Sequence, residues 1–152
     1  MDALVAELRD AKTAEIWPIG PADVDWFVDL GLRRYPKNWC PIGTETWLRQ
    51  RVLLNPASHL AIRSANAAVV VGINYQPWTP WKFEAVVNTT MCEEGCVWEV
   101  IPLLRLADKW AQRKRCKSLR LASETKYELG ALARRIGMKQ GEPYYILEYD
   151  NG

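Results

Sequence analysis

The chain has 152 residues, 49% hydrophobic and 25% charged, with a formal net charge of +2. This is the composition of an ordinary globular protein with enough chain to bury a core, and the charge is too balanced to point by itself to nucleic acid. No stretch approaches about eighteen consecutive apolar residues, which excludes a membrane-spanning helix. Residues 2–12 mix acids and bases with apolar residues and lack the apolar centre of a signal peptide, so a reducing, cytosolic location is expected. Cys40, Cys92, Cys96 and Cys116 then read as free thiols. Cys92 and Cys96 have zinc-like spacing, but no second pair follows and the single histidine, His59, is remote; no metal site is expected.

In chain order, residues 2–12 can form an amphipathic helix with Leu4, Val5 and Leu8 on one side, an N-terminal extension to a single domain spanning 1–152. Residues 14–19 form a short strand that Pro18 confines to an edge or an end. Gly20-Pro21 opens a helix whose buried stripe is Val24, Phe27, Val28 and Leu32 with Trp26, and Tyr35-Pro36 ends it. Residues 37–43 read as a loop, after which Thr44 caps a helix from Glu45 to about Leu54, stopped by Asn55-Pro56. Residues 59–64 and 67–75 read as two strands joined by a turn at Ala65-Asn66, and the run AAVVVGINY is the most strand-like piece of the chain. A loop containing PWTPW leads to a further strand over residues 83–91.

The last third is the most organised. Val97, Val100, Ile101 and Leu104 recur at helical spacing, widened by Leu103, Ala107, Trp110 and Ala111, and the basic run Arg113 to Lys117 suits a helix C-terminus. Residues 118–123 alternate as a half-buried strand, a second helix covers about 125–136 with Gly137 as its C-cap, and residues 143–149 close the segment as a strand. Helix, strand, helix, strand defines an α/β or α+β layer.

That order resembles the C-terminal half of the GNAT superfamily of acyl-CoA N-acyltransferases. In that family a long helix ending near a Trp-Ala pair leads into an apolar strand, a short helix and a Gly-Phe turn. Here Leu103-Leu104 precedes Trp110-Ala111, residues 119–122 are the strand, and Ile136-Gly137-Met138 occupies the turn. With the N-terminal half compatible, the resemblance covers about residues 14–149. It implies an α+β fold, with a mixed, mostly antiparallel sheet flanked by helices on both faces.

The resemblance also implies an acetyl-CoA-dependent transfer to an amine. The coenzyme pyrophosphate would sit at the start of the long helix, where backbone N–H groups and the dipole bind phosphate. The family motif, Gln/Arg-x-x-Gly-x-Gly/Ala, aligns with Gly95 to Val100, so Trp98 and Val100 stand where the motif has glycines and Glu99 puts negative charge where phosphate would lie. The coenzyme-contacting positions implied are Thr89 and Met91 on the preceding strand, then Gly95, Cys96, Val97 and Trp98. A general base is implied on the central strand, where Glu84 is the nearest acid, although a strand glutamate near an edge also suits a solvated surface. The family tyrosine position is Ala133; Tyr127 lies on the same helix nearly two turns earlier. Asn88, Thr89 and Thr90 can hydrogen-bond a substrate.

Two functional readings follow. One is an N-acyltransferase with an altered pyrophosphate loop. The other is a non-catalytic relative kept as a structural or interaction subunit, similar to acyltransferase-like proteins of tailed bacteriophages, some virion-associated. Loop tryptophans Trp39, Trp78 and Trp81 would suit a protein partner or a homo-oligomer. Seven Lys/Arg between Arg105 and Arg120, against Asp108 alone, form a basic patch that would suit nucleic acid, but also read as a solvated helix end.

Overall fold

A computed structural model describes residues 15–80, 82–121, 133–139 and 147. Among them one sheet runs β1 (Trp17–Pro18), β2 (His59–Arg63), β3 (Ala67–Tyr75), β4 (Phe83–Cys92) and β5 (Leu119–Leu121), in spatial order β1-β2-β3-β4-β5. Neighbours from β1 to β4 are antiparallel, and β5 lies parallel to β4. The helices are α1 (Val24–Arg34), α2 (Pro41–Trp47) and α3 (Val100–Arg113). A 3-10 turn at Pro21–Asp23 leads into α1 and another at Val97–Glu99 into α3, while α2 continues as a π-helical stretch over Leu48–Val52.

Successive strand residues point to opposite faces, and the two cores follow that alternation. Leu60, Ile62, Val69, Val71, Ala85 and Val87 pack with Leu103, Leu104 and Leu106 of α3. Ala61, Ala68, Val70 and Met91 pack with Val24, Phe27 and Leu30 of α1 and with Leu48 and Val52 after α2. The helices therefore cover both faces of a mixed sheet, as the sequence implied. Burial of each large apolar side chain contributes about 1.5–3 kcal/mol relative to exposure.

The extra residue in β4 is Asn88: Val70 pairs with Thr89 and Val71 with Val87, so the register slips across it. Such a bulge bends its strand and re-aims the side chains around it. Gly137 closes residues 133–136 at φ +88, with Met138 N–H donating to the Ala133 carbonyl at 2.9 Å and Gly137 N–H to that of Arg134 at 3.1 Å. This is the expected C-cap, in its double-bonded form.

Several local expectations differ. The stretch read as loop over 37–43 already contains the start of α2, because Pro41 occupies its first turn and the Cys40 Sγ accepts from Gly43 N–H. Cys40, not Thr44, is the cap. Leu32 is exposed rather than part of the α1 stripe; Leu30 and Gly31 are buried instead. Gly31 is small for a reason, since a Cβ there would lie 2.0 Å from the Trp39 indole. Residues 2–12, most of the helix over 125–136 and nearly all of the strand over 143–149 lie outside the described residues.

One polar cluster holds the sheet edge to α1. Arg63 is 8% exposed, with its guanidinium 3.3 Å from the Trp26 ring and 4.7 Å from that of Trp17. It donates to Asp23 Oδ1 at 3.0 Å and to the carbonyls of Ser64 and Ala65, while Asp23 Oδ2 accepts from Gly20 N–H. One carboxylate thus caps the approach to α1 and neutralises the cation beneath it. Burial lowers the Arg63 pKa and the Asp23 carboxylate opposes that shift.

Candidate active site

The loop from β4 into α3 carries four of the residues singled out in the sequence. Gly95 sits at φ +79, a conformation that glycine adopts without strain, and turns the chain towards the 3-10 start of α3. Cys96 N–H donates to the Glu93 carbonyl and Glu99 N–H to that of Cys96. The N–H groups of Gly95, Val97 and Trp98 take no acceptor among the described residues. Val97 packs against the α3 core, whereas Trp98 is 60% exposed.

The acids around this loop are directed elsewhere. Glu99 is 5% exposed and turns away from solvent into the β2–β3 turn. Its carboxylate accepts from Ser64 Oγ at 2.8 Å, Asn66 N–H at 3.2 Å and Asn66 Nδ2 at 2.9 Å. Burial pushes this carboxyl up. The hydrogen bonds from Asn66 and Ser64, with the Cys96 thiol adding another, outweigh it and hold the group below its ordinary value. The Cys96 thiol is raised by burial and then by the neighbouring Glu99 charge, which keeps it protonated as a donor. Glu93 forms a two-pronged pair with Arg33 of α1, both contacts at 2.8 Å. The Glu99 charge, expected at the start of the helix, is directed into the β2–β3 turn by its bonds to Ser64 and Asn66. Of the three loop acids, only Glu94 is exposed with no side-chain hydrogen bond among the described residues.

Thr89 and Met91 lie just upstream on β4. Met91 is 2% exposed and its side chain belongs to the core under α1, so only its backbone can face a ligand along the strand edge. Thr89 is half-buried. Thr90 is buried on the opposite face, and its Oγ1 has no hydrogen-bond partner among the described residues. Among those residues β5 pairs β4 over Ala85–Val87 alone, so from Asn88 onward the outer edge of β4 has no strand beside it. That edge spans about 13 Å from Asn88 to Cys92 at the usual rise per residue.

Glu84 sits at the other end of β4, about 23 Å from Met91 by strand rise. It is 2% exposed, which overturns the expectation of a solvated surface residue. Its Oε2 lies 3.3 Å from Arg120 Nη2 and 3.8 Å from Lys117 Nζ, both from the β5 region. The structure therefore does not gather the predicted residues at one point. Thr89, Met91, Gly95, Cys96, Val97 and Trp98 line one end of β4, and Glu84 lies at the other. Tyr127 lies outside the described residues.

Between the two ends is an arrangement that the strand registers bring together. His59, Gly72, Val86 and Arg120 are direct cross-strand partners in one row over four strands. Alternation puts all four on the α1 face. A Cβ at Gly72 would fall 2.9 Å from Asn88 Nδ2 and 3.5 Å from the His59 ring, so the bulge carboxamide and the imidazole converge over that glycine. The only advance signal was a glycine inside an otherwise β-branched strand.

Among the described residues, a mixed five-stranded sheet with helices on both faces matches the fold of solved GNAT acetyltransferases. Solved structures carry this likeness. An aminoglycoside antibiotic 6'-N-acetyltransferase from Acinetobacter baumannii aligns at TM-score 0.70 and 16% identity, over 92% of this chain and 100% of its own. A ribosomal-protein-alanine N-acetyltransferase from Brucella melitensis biovar Abortus aligns at TM-score 0.64 and 18% identity, over 90% and 99% of the two chains. A predicted acetyltransferase from Clostridium acetobutylicum, solved with acetyl-CoA, gives TM-score 0.68 and 12% identity over 90% and 96%. No protein-family model matches the chain, and no curated protein does. No helix among the described residues is long and apolar enough to cross a membrane.

Proposed function

We propose that this protein is an acyl-CoA-dependent N-acyltransferase that moves an acetyl group from acetyl-CoA to a primary amine. The observation that carries the reading is the direction of Glu99. With its carboxylate committed to Ser64 and Asn66, and Glu93 committed to Arg33, the start of α3 offers the N–H groups of Gly95, Val97 and Trp98 to a pyrophosphate. From Asn88 onward the outer edge of β4, which has no strand beside it among the described residues, would supply backbone donors and acceptors for an extended ligand. Acetyl-CoA is the donor substrate and brings an activated thioester; the chain's work is to bind it, orient it and exclude water. Glu84 pairs with Arg120 and Lys117 at the β5 end of the row.

The test is release of CoA thiol from acetyl-CoA in the presence of three amines: an aminoglycoside, a peptide beginning with alanine and a simple alkylamine. Amine-dependent release with at least one of them supports the reading. Its absence for all three, together with no acetyl-CoA binding, rejects it.

A second reading rests on Tyr75, Phe83 and Trp78. Tyr75 and Phe83 pack at 5.5 Å between centroids and remain exposed, with Trp78 at 79% exposure beside them in sequence. Exposed aromatics of this kind favour an interaction subunit. That reading predicts self-association or partner capture that is lost on Trp78→Ser, whether or not acetyl-CoA binds.

A further inference from the structure

The row His59–Gly72–Val86–Arg120 is built around the β4 bulge, and its histidine has a defined environment. His59 Nδ1 lies 3.3 Å from the Asn55 carbonyl oxygen, which only accepts, and 3.2 Å from Ser58 Oγ. The carbonyl calls for the proton on Nδ1, leaving the Nε2 lone pair free. Nε2 is the ring nitrogen near Gly72, 3.6 Å from where a Cβ would stand, and the Asn88 carboxamide reaches the same point from the bulge. Val86, the next residue of the row, pairs with Arg120 of β5, and Asn88 stands just beyond the last β4 residue that β5 pairs among the described residues. Glu84 is enclosed and its carboxylate is already shared by two cations.

We propose that His59 is the proton-accepting catalytic residue of the acyl transfer, its Nε2 taking the proton of the acceptor amine beside the Asn88 carboxamide over Gly72. The proposal rests on the acetyl-CoA reading above. The amine nitrogen forms the C–N bond to the thioester carbonyl carbon as the C–S bond breaks, and the proton shed by nitrogen goes to Nε2. The imidazolium passes it to the leaving thiolate, so an amide and the CoA thiol are formed and the imidazole is regenerated neutral. A positioned base of this kind is worth about 10²- to 10⁴-fold in rate.

His59 is the single histidine of the chain, so its imidazole can be followed by NMR without assignment. The experiment records the imidazole ¹⁵N shifts of the full chain, free and with acetyl-CoA. Acetyl transfer to the three amines named above is assayed in parallel for wild type, His59→Gln and His59→Ala, each checked for a cooperative unfolding transition. The expected result is an Nδ1-protonated ring whose resonances move when acetyl-CoA binds. In His59→Gln, kcat falls by about 10²-fold or more at unchanged acetyl-CoA affinity. Added imidazole partly restores His59→Ala, which a packing role would not allow. An Nε2-protonated ring, an imidazole indifferent to bound acetyl-CoA, or wild-type kcat in His59→Gln overturns the proposal and leaves the acetyltransferase reading standing. Failure of the wild type to bind acetyl-CoA overturns both.

Discussion

Replacing Glu99 by glutamine removes a charge without removing volume, and the structure sets the cost. Its Oε1 accepts from Ser64 Oγ at 2.8 Å and Asn66 N–H at 3.2 Å, bonds that the amide oxygen of glutamine can keep. Its Oε2 accepts from Asn66 Nδ2 at 2.9 Å, where glutamine would set an NH₂ against an NH₂. One charge-assisted hydrogen bond is lost, worth about 1.5–3 kcal/mol, and a nearly buried donor is left unpaired. A net loss of about 3 kcal/mol lowers Tm by roughly 6–12 °C for a chain of this size. The pH dependence gives a second readout. The folded carboxyl is held below its ordinary value of 4.5, so its contribution is present above that value and lost as pH falls through the depressed folded pKa. Glu99→Gln should therefore unfold earlier than wild type near neutrality, with the gap closing in acid. The assay is urea unfolding by tryptophan fluorescence at several pH values. A variant as stable as wild type at neutral pH, or a gap constant into acid, would refute the assigned direction of Glu99.

Three further substitutions probe separate parts of the molecule. Arg63→Lys keeps the charge but loses the planar contact with Trp26 and Trp17 and the fork to Ser64 and Ala65, and should cost about 2–3 kcal/mol in urea unfolding. Gly31→Ala forces a Cβ to 2.0 Å from the Trp39 ring and should destabilise by about 1–3 kcal/mol despite the better helix propensity of alanine, visible as a drop in the calorimetric Tm. Trp98→Ala removes an exposed side chain and should leave stability within about 0.5 kcal/mol. It should tighten acetyl-CoA binding by titration calorimetry, because the backbone at that position becomes approachable; weaker binding would make the indole a ligand contact instead.

Strands β2 to β4 and helix α3 were legible because their apolar periods are long and clean: AAVVVGINY and Val97 to Ala111 leave little room for another reading. Gly137 was legible because a positive φ after a helix selects glycine. Cys40 as a cap was hidden because thiols rarely cap, and Leu32 was misplaced because one position on a helix face separates buried from exposed. The site was harder to read. Sequence gives the charge of Glu99 but not its direction, and its partners Ser64 and Asn66 are 35 and 33 residues away. Glu84 reads as a surface residue until β5 brings Arg120 and Lys117 beside it. The row from His59 to Arg120 depends on three registers and on the slip at Asn88, and these are tertiary facts.

Binding of acetyl-CoA tests the central claim most directly, and a thermal-shift titration against acetyl-CoA, with dephospho-CoA as a control, measures it. If the loop at Gly95 to Trp98 holds the pyrophosphate, ligand at a hundred times its Kd stabilises the fold by about 2.7 kcal/mol and Tm rises by roughly 5–11 °C, saturably. An unchanged Tm at millimolar acetyl-CoA would contradict the account.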